Sequence, residues 1–354
     1  MKKKLFVIGL FALMLLLPSN KVLAIGYGVE VDGEDLTIEP NQNSDGTAKW
    51  DASSNTLELN NYNGASINID TVDNIKIVLK GTNIIDADGN DGIYSCVDTS
   101  ISGDGTLKIV NSSFGIDIEE ADLTIDSGLI EIVEPEYDGV YAYSETEKGN
   151  ITINSDLTIK DGMTEGIFAS NVLTLDEGTI NVSVGADELG LVFGLDAAKI
   201  IVNKAKVYVK SDFIGIAAGD LLEINGGYVE SEAGSGKDAG VAVLAFDTGS
   251  TKIVIGDNVE MIPNDISQQK VTVDFFGEMN LIVYGKDGIE VDLTSETPLL
   301  KNVANKVIFQ EKKVEPEKTE EANPNTYDNI YYILLMLGIS LGGLATIYRK
   351  KVNN

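Results

Sequence analysis

A single pattern recurs through the middle of the chain: a short apolar triplet, a Gly-led β segment, then Gly followed by an apolar residue. Leu123-Thr124-Ile125 leads to Gly128-Leu129-Ile130 and then Gly139-Val140. Val172-Leu173-Thr174-Leu175 leads to Gly178-Thr179-Ile180 and then Gly190-Leu191, and Leu222-Glu223-Ile224 leads to Gly227-Tyr228-Val229 and then Gly240-Val241. The Gly-apolar step falls at Gly92, Gly115, Gly139, Gly166, Gly190, Gly215 and Gly240, at spacings of 23 to 27 residues. A period of that length signals stacked units and is too short for a propeller blade of roughly 40 residues. Within each unit apolar and polar residues alternate, as in Ile151-Thr152-Ile153 and Ile180-Asn181-Val182-Ser183-Val184. Such alternation puts one side chain inward and the next outward along a strand. No helical period is sustained before the C-terminal segment.

The fold these features predict is all-β: a right-handed, single-stranded parallel β-helix of about 25 residues per coil. Right-handedness is the default for parallel crossovers. Each strand pairs with its equivalents one coil above and below, and the recurrent Gly residues mark sharp corners. Residues 25–64, with Trp50 and the segment Thr56 to Gly64, read as N-terminal strands and a cap, because exposed strand edges invite aggregation. Residues 65–257 carry the repeat. Residues 258–310 lose it and read as irregular last coils plus a C-terminal cap. Residues 311–322, charged and containing Pro316, read as a linker.

The two ends predict export and attachment. Lys2-Lys3-Lys4, the apolar run Leu5 to Leu17 and the small-residue site Val22-Leu23-Ala24 have the layout of a secretory signal peptide over residues 1–24. At the other end, Asn323-Pro324-Asn325-Thr326-Tyr327 precedes an uncharged run from Ile330 to Tyr348 and the basic residues Arg349-Lys350-Lys351. The stretch 330–348 is long enough for a transmembrane helix, and the basic end would stay inside. Residues 323–354 therefore resemble the cell-wall sorting signal read by sortases, in its Asn-Pro-x-Thr form, with Tyr327 where the common motif has Gly. The resemblance implies cleavage after Thr326 and linkage to Gram-positive peptidoglycan. A plain C-terminal membrane anchor is the alternative. Both readings place the body outside the cell.

Charge and composition narrow the chemistry. Seven of the 26 Lys and Arg lie in residues 1–24 and 327–354, but only one of the 56 Asp and Glu does, Asp328. The body thus holds 19 basic against 55 acidic residues, a net charge of −36. Nucleic acid is excluded as a partner, since phosphate binding rests on Lys and Arg. The body has no His and no Arg, so a Ser-His-Asp triad and a His-based zinc site are absent. One cysteine, Cys96, permits no intramolecular disulfide. Carboxylate-pair hydrolysis remains open chemically, but with so many acids no pair stands out, and the expectation is a non-catalytic protein. Calcium needs six to eight oxygen ligands, and the turn Asp86-Ala87-Asp88-Gly89-Asn90-Asp91-Gly92 offers Asp86, Asp88, Asn90 and Asp91. It is not an EF-hand, since Asp91 stands where that loop needs Gly and Val97 where it needs Glu. A solvated turn is the competing reading. Aromatic rings are candidate sugar platforms: Trp50, Tyr62, Tyr94, Tyr141 and Tyr143. For Trp50 a place in the cap core competes with that role.

Trp50, the block Thr56 to Gly64, Ile77-Val78-Leu79-Lys80-Gly81-Thr82-Asn83-Ile84-Ile85 and Ile101-Ser102-Gly103-Asp104-Gly105-Thr106-Leu107 together resemble a bacterial family. It is the carbohydrate-binding-domain β-helix surface proteins of clostridia and gut Firmicutes, matched over roughly residues 36–260. The resemblance implies a right-handed β-helix, calcium sites and binding of plant or acidic polysaccharide. The combined expectation is a wall-anchored, extracellular carbohydrate-binding adhesin. A structural or host-protein-binding surface module and a polysaccharide lyase or hydrolase are the alternatives.

Overall fold

The computed structural model describes residues 28–70, 72–185 and 192–233 with their side chains, and the backbone strands Val241–Ala245, Thr251–Ile255, Val259–Pro263, Leu281–Tyr284, Glu290–Asp292 and Lys306–Glu311. The signal-peptide segment, the linker beyond Glu311, the sorting motif and the apolar run 330–348 lie outside the described residues. Among the described residues there is no helix, and none long and apolar enough to cross a membrane.

The body is a parallel β-solenoid of about 7 turns with ~24 residues per coil. Each coil contributes three strands to three stacked faces. In one early coil these are Asn74–Lys80 on the first face, Thr82–Asp86 on the second and Ile93–Ser95 on the third. The next coil repeats them as Asp98–Gly103, Thr106–Val110 and Ile116–Glu119. Equivalent residues pair in parallel: Ile77 with Ile101 and Ile101 with Ile125 on the first face, Ile85 with Ile109 and Ile109 with Ile132 on the second. On the third face Ile93 pairs with Ile116, and Ile116 with Val140. In later coils the third-face strand runs on into the next first-face strand, as in Glu165–Leu175, Phe193–Val202 and Ile214–Ile224. The first and third faces are therefore one continuous sheet.

The alternation seen in the sequence puts these Ile, Leu and Val residues inside, where they form one buried core from Val29 to Val229. Full burial of each such side chain contributes about 1.5–3 kcal/mol, so a solenoid without disulfides is held by the repetition of that term. On the third face the inward positions become small: Ala142, Ala169, Ala197 and Ala218 follow one another in register.

One corner demands glycine at every coil. A Cβ on Gly92 would lie 2.4 Å from Ile109 Cγ2 and 2.6 Å from the Gly115 carbonyl oxygen. A Cβ on Gly139 would lie 2.6 Å from Ile159 Cδ1 and 2.7 Å from the Gly166 oxygen. On Gly166 it would meet Val182 Cγ1 at 2.1 Å and the Gly194 oxygen at 2.4 Å. The ladder therefore runs Gly92, Gly115, Gly139, Gly166, Gly194, Gly215, each backbone resting on the next. The sequence pattern puts the fifth of these steps at Gly190. The register Ile167 to Leu195 puts it at Gly194 instead.

Antiparallel strands stand at both ends. Ala48–Asp51 adds antiparallel to Thr56–Asn60, with Trp50 opposite Leu57, and Val29–Val31 adds antiparallel to Ile67–Ile69. Trp50 is 6 % exposed. The parallel register already begins at Thr56, which pairs with Lys76, so the segment from Thr56 onward belongs to the first coil. At the far end Lys306–Glu311 runs antiparallel to Tyr228–Ala233 and to Val259–Pro263. Antiparallel strands at the ends stop the ladder from recruiting another chain.

Candidate functional site

The outward positions of the third face interleave aromatic rings with buried carboxyl groups that form no ion pair among the described residues. Two rows flank the glycine ladder. Just before it, one per coil, stand Asp91, Phe114, Asp138, Glu165 and Phe193, aligned by bonds such as Gly92 N–H to Phe114 C=O and Gly115 N–H to Asp138 C=O. Two residues after it stand Tyr94, Asp117, Tyr141, Phe168 and Asp196, in direct register. Asp117 lies between the inward residues Ile116 and Ile118, so its side chain points out of the core, between Tyr94 and Tyr141 on the adjoining coils.

Tyr141 is the hub of the rings. Its ring centroid lies 5.0 Å from that of Phe168 at an interplanar angle of 17°, 5.2 Å from Phe114 and 6.3 Å from Tyr143. Phe114 stacks in turn on Tyr137 at 5.3 Å. Tyr143 and Tyr137 are exposed, at 40 % and 45 %. The rings form a half-open strip over three coils, stacked on one another beside the carboxyl groups.

Those carboxyl groups are held in unusual states. Asp117 is 6 % exposed, and its Oδ1 is buried with no hydrogen-bond partner among the described residues. Burial, reinforced by Asp91, Glu119 and Asp138, pushes its pKa up to about 8. Asp138 is also 6 % exposed and accepts hydrogen bonds from Thr164 Oγ1 and from the Glu165 N–H at 2.9 Å. Burial outweighs those bonds and raises it to about 6. Glu165 lies well above the usual carboxylate range through burial and the nearby Asp138 and Asp196, and its Oε2 is buried without a hydrogen-bond partner among the described residues. Asp196 is raised to about 7 by burial and Asp138. Asp91, whose Oδ1 accepts the Phe114 N–H at 3.2 Å, is raised by burial as well. The Lys–carboxylate pairs of the described residues, from Lys80–Glu58 to Lys204–Glu177, all lie elsewhere.

The structure sorts the residues singled out in the sequence. Tyr94, Tyr141 and Tyr143 share this face. The Tyr94 hydroxyl donates to Glu119 Oε2 at 2.8 Å and accepts from Cys96 Sγ at 3.1 Å. Cys96 is half-buried, and burial pushes its thiol up, away from reactivity. Trp50 and Tyr62 are corrections. Trp50 packs in the cap, and Tyr62 is 1 % exposed with its hydroxyl on the Ala65 carbonyl at 2.8 Å. Neither presents a ring to a sugar. The turn proposed for calcium also disperses. Asp86 accepts from Asn111 Nδ2 at 2.9 Å, Asn90 Nδ2 bonds the Ala87 carbonyl, Asp91 turns to Phe114, and Asp88 is exposed at the tip with φ 49°. No group of three or more Asp, Glu, Cys or His side chains among the described residues is placed to hold a metal ion.

Sequence reasoning missed Asp117, Asp138, Glu165, Asp196, Phe114 and Phe168. Aligning the chain on the true glycine ladder would have exposed them as two columns of Asp, Glu, Tyr and Phe. What the fold and this face define is a parallel β-solenoid with one carboxylate-and-aromatic side. Comparison with known proteins adds no nearer identity: no family profile, no curated protein and no solved structure matches the chain.

Proposed function

We propose that the protein is a surface-displayed carbohydrate-binding solenoid that holds a polysaccharide along its third face, attached to the cell by its C-terminal segment. The observation that carries this reading is the ring strip of Tyr137, Phe114, Tyr141, Phe168 and Tyr143. Half-exposed rings repeating at the coil spacing of about 4.8 Å suit a polymer of stacked sugar rings, and the carboxyl oxygens beside them suit sugar hydroxyls. Export and anchoring are supported by the terminal segments 1–24 and 323–354, through Asn323, Pro324, Asn325, Thr326 and Tyr327 as substrate of a sortase and peptidoglycan as the acceptor. An acidic polysaccharide fits this face poorly, since unpaired carboxyls would repel it unless calcium bridged the two.

Retention of the purified protein on a panel of neutral, acidic and basic polysaccharides, with calcium and then with chelator, tests the reading. Binding to at least one glycan that is lost in Tyr141→Ala is the expected result, and no retention on any of them would overturn it. A hydrolase is a second reading, favoured by neighbouring carboxyls whose environments separate Asp117, near 8, from Asp138, near 6, the pattern of an acid beside a base. New reducing ends released from the retained polymer would establish it.

A further inference from the structure

We propose that the third face is a site for an organic ammonium group, and that the glycan it selects is an aminoglycan with free amines; this rests on the carbohydrate-binding reading above. The geometry sets two requirements for a ligand. Asp117 Oδ1 and Glu165 Oε2 are buried oxygens without hydrogen-bond partners among the described residues, and a carboxyl left in that state costs free energy. Asp91, Asp117, Asp138, Glu165 and Asp196 sit together, and among the described residues no Lys forms an ion pair with any of them. The rings above them supply the complement. Tyr141, stacked on Phe168 and flanked by Phe114 and the exposed Tyr143, sets a strip of rings beside the carboxyl row, and aromatic rings attract ammonium groups.

A metal ion is the weaker occupant, since no three acidic side chains of the described residues converge on one point. An extended peptide is weaker as well. Peptides recognised through their backbone add to a free sheet edge, and the strands carrying Asp117, Tyr141 and Phe168 are paired on both sides. A polymer that lies across the coils and places an amine over the row meets both requirements. The raised carboxyl pKa values agree, because burial makes these groups hold a proton near neutral pH, and an ammonium group placed beside them would favour the ionised form instead.

The test is calorimetric titration of the full-length chain in mild detergent at 0.15 M salt, where screening limits bulk attraction to about 8 Å. The probes are a glucosamine hexamer, an N-acetylglucosamine hexamer and a lysine hexapeptide. The glucosamine hexamer should bind at least tenfold more tightly than its acetylated form. Asp117→Asn and Glu165→Gln should each weaken it tenfold or more, whereas Glu177→Gln, an exposed acid on another face, should change it less than twofold. Thermal melts confirm that each variant is folded. Equal loss in all three variants would assign the binding to bulk acidity and overturn the proposal. Preference for the acetylated hexamer would overturn the ammonium site while leaving carbohydrate binding standing. Binding of the lysine peptide alone, or of no probe, would remove both the aminoglycan proposal and its carbohydrate premise for these sugars.

Discussion

Asp117 shows how one residue carries both a cost and a use. Its neighbours in sequence, Ile116 and Ile118, anchor the strand in the core, and it is left to face Tyr94 and Tyr141 with an unpartnered oxygen. Because its pKa is raised to about 8 in the folded state, the folded protein holds this proton more tightly than the unfolded chain. Its contribution is fully present below about pH 4 and is lost as pH rises through about 8. Asp138 and Asp196 act in the same direction over narrower windows. Stability should therefore fall between pH 5 and pH 8, by up to about 1.4 kcal/mol per pH unit for one group. Asp117→Asn, which keeps the shape and removes the titration, should flatten that fall in melts at the two pH values and stabilise the protein at pH 8. An unchanged slope would mean that Asp117 is not buried as described. Tyr141→Ala should instead cost glycan retention, by removing the ring on which Phe114, Phe168 and Tyr143 converge.

At the scale of the element, the corner between the second and third faces is set by contact between backbones. Gly139→Ala would drive a Cβ against Ile159 and the Gly166 carbonyl, and overpacking of that kind typically costs about 1–3 kcal/mol. A drop of several degrees in the melting temperature is expected, against little change for Gly185→Ala, whose Cβ would meet Asp212 Oδ2 at an ordinary 3.9 Å. Truncating a core stack at Ile118→Ala should cost more, about 2–5 kcal/mol. These elements were legible in the sequence because period-two alternation and a Gly every 23 to 27 residues are local signals. What failed was the register of one coil: Gly190 and Gly194 both precede an acceptable residue, and only the partner strand decides between them. The carboxylate columns stayed hidden for a different reason. Among 55 acidic residues, the few that become buried differ from the rest only in what the neighbouring coils place beside them. Trp50 and Tyr62 looked like sugar platforms because rarity and size are visible in a sequence and burial is not.

At the scale of the molecule, three faces divide the labour. The first and second are lined outside by polar residues and carry the surface ion pairs, each worth about 0–1 kcal/mol. The third gathers the buried acids of raised pKa and most of the stacked rings. Stacked coils contact only their neighbours, so stability adds coil by coil and depends on protected ends. Deleting residues 28–51 would expose the edges of Thr56–Asn60 and Ile67–Ile69; the shortened protein should self-associate in size-exclusion chromatography where the intact one does not. The central claim is that the third face is the glycan-binding face. Hydroxyl-radical footprinting of the tyrosines, with and without the retained polysaccharide, tests it most directly. Protection of Tyr137, Tyr141 and Tyr143 with Tyr208 and Tyr228 unchanged is the predicted result. Protection of Tyr208 and Tyr228 on the second face, with the third-face tyrosines unaltered, would contradict it.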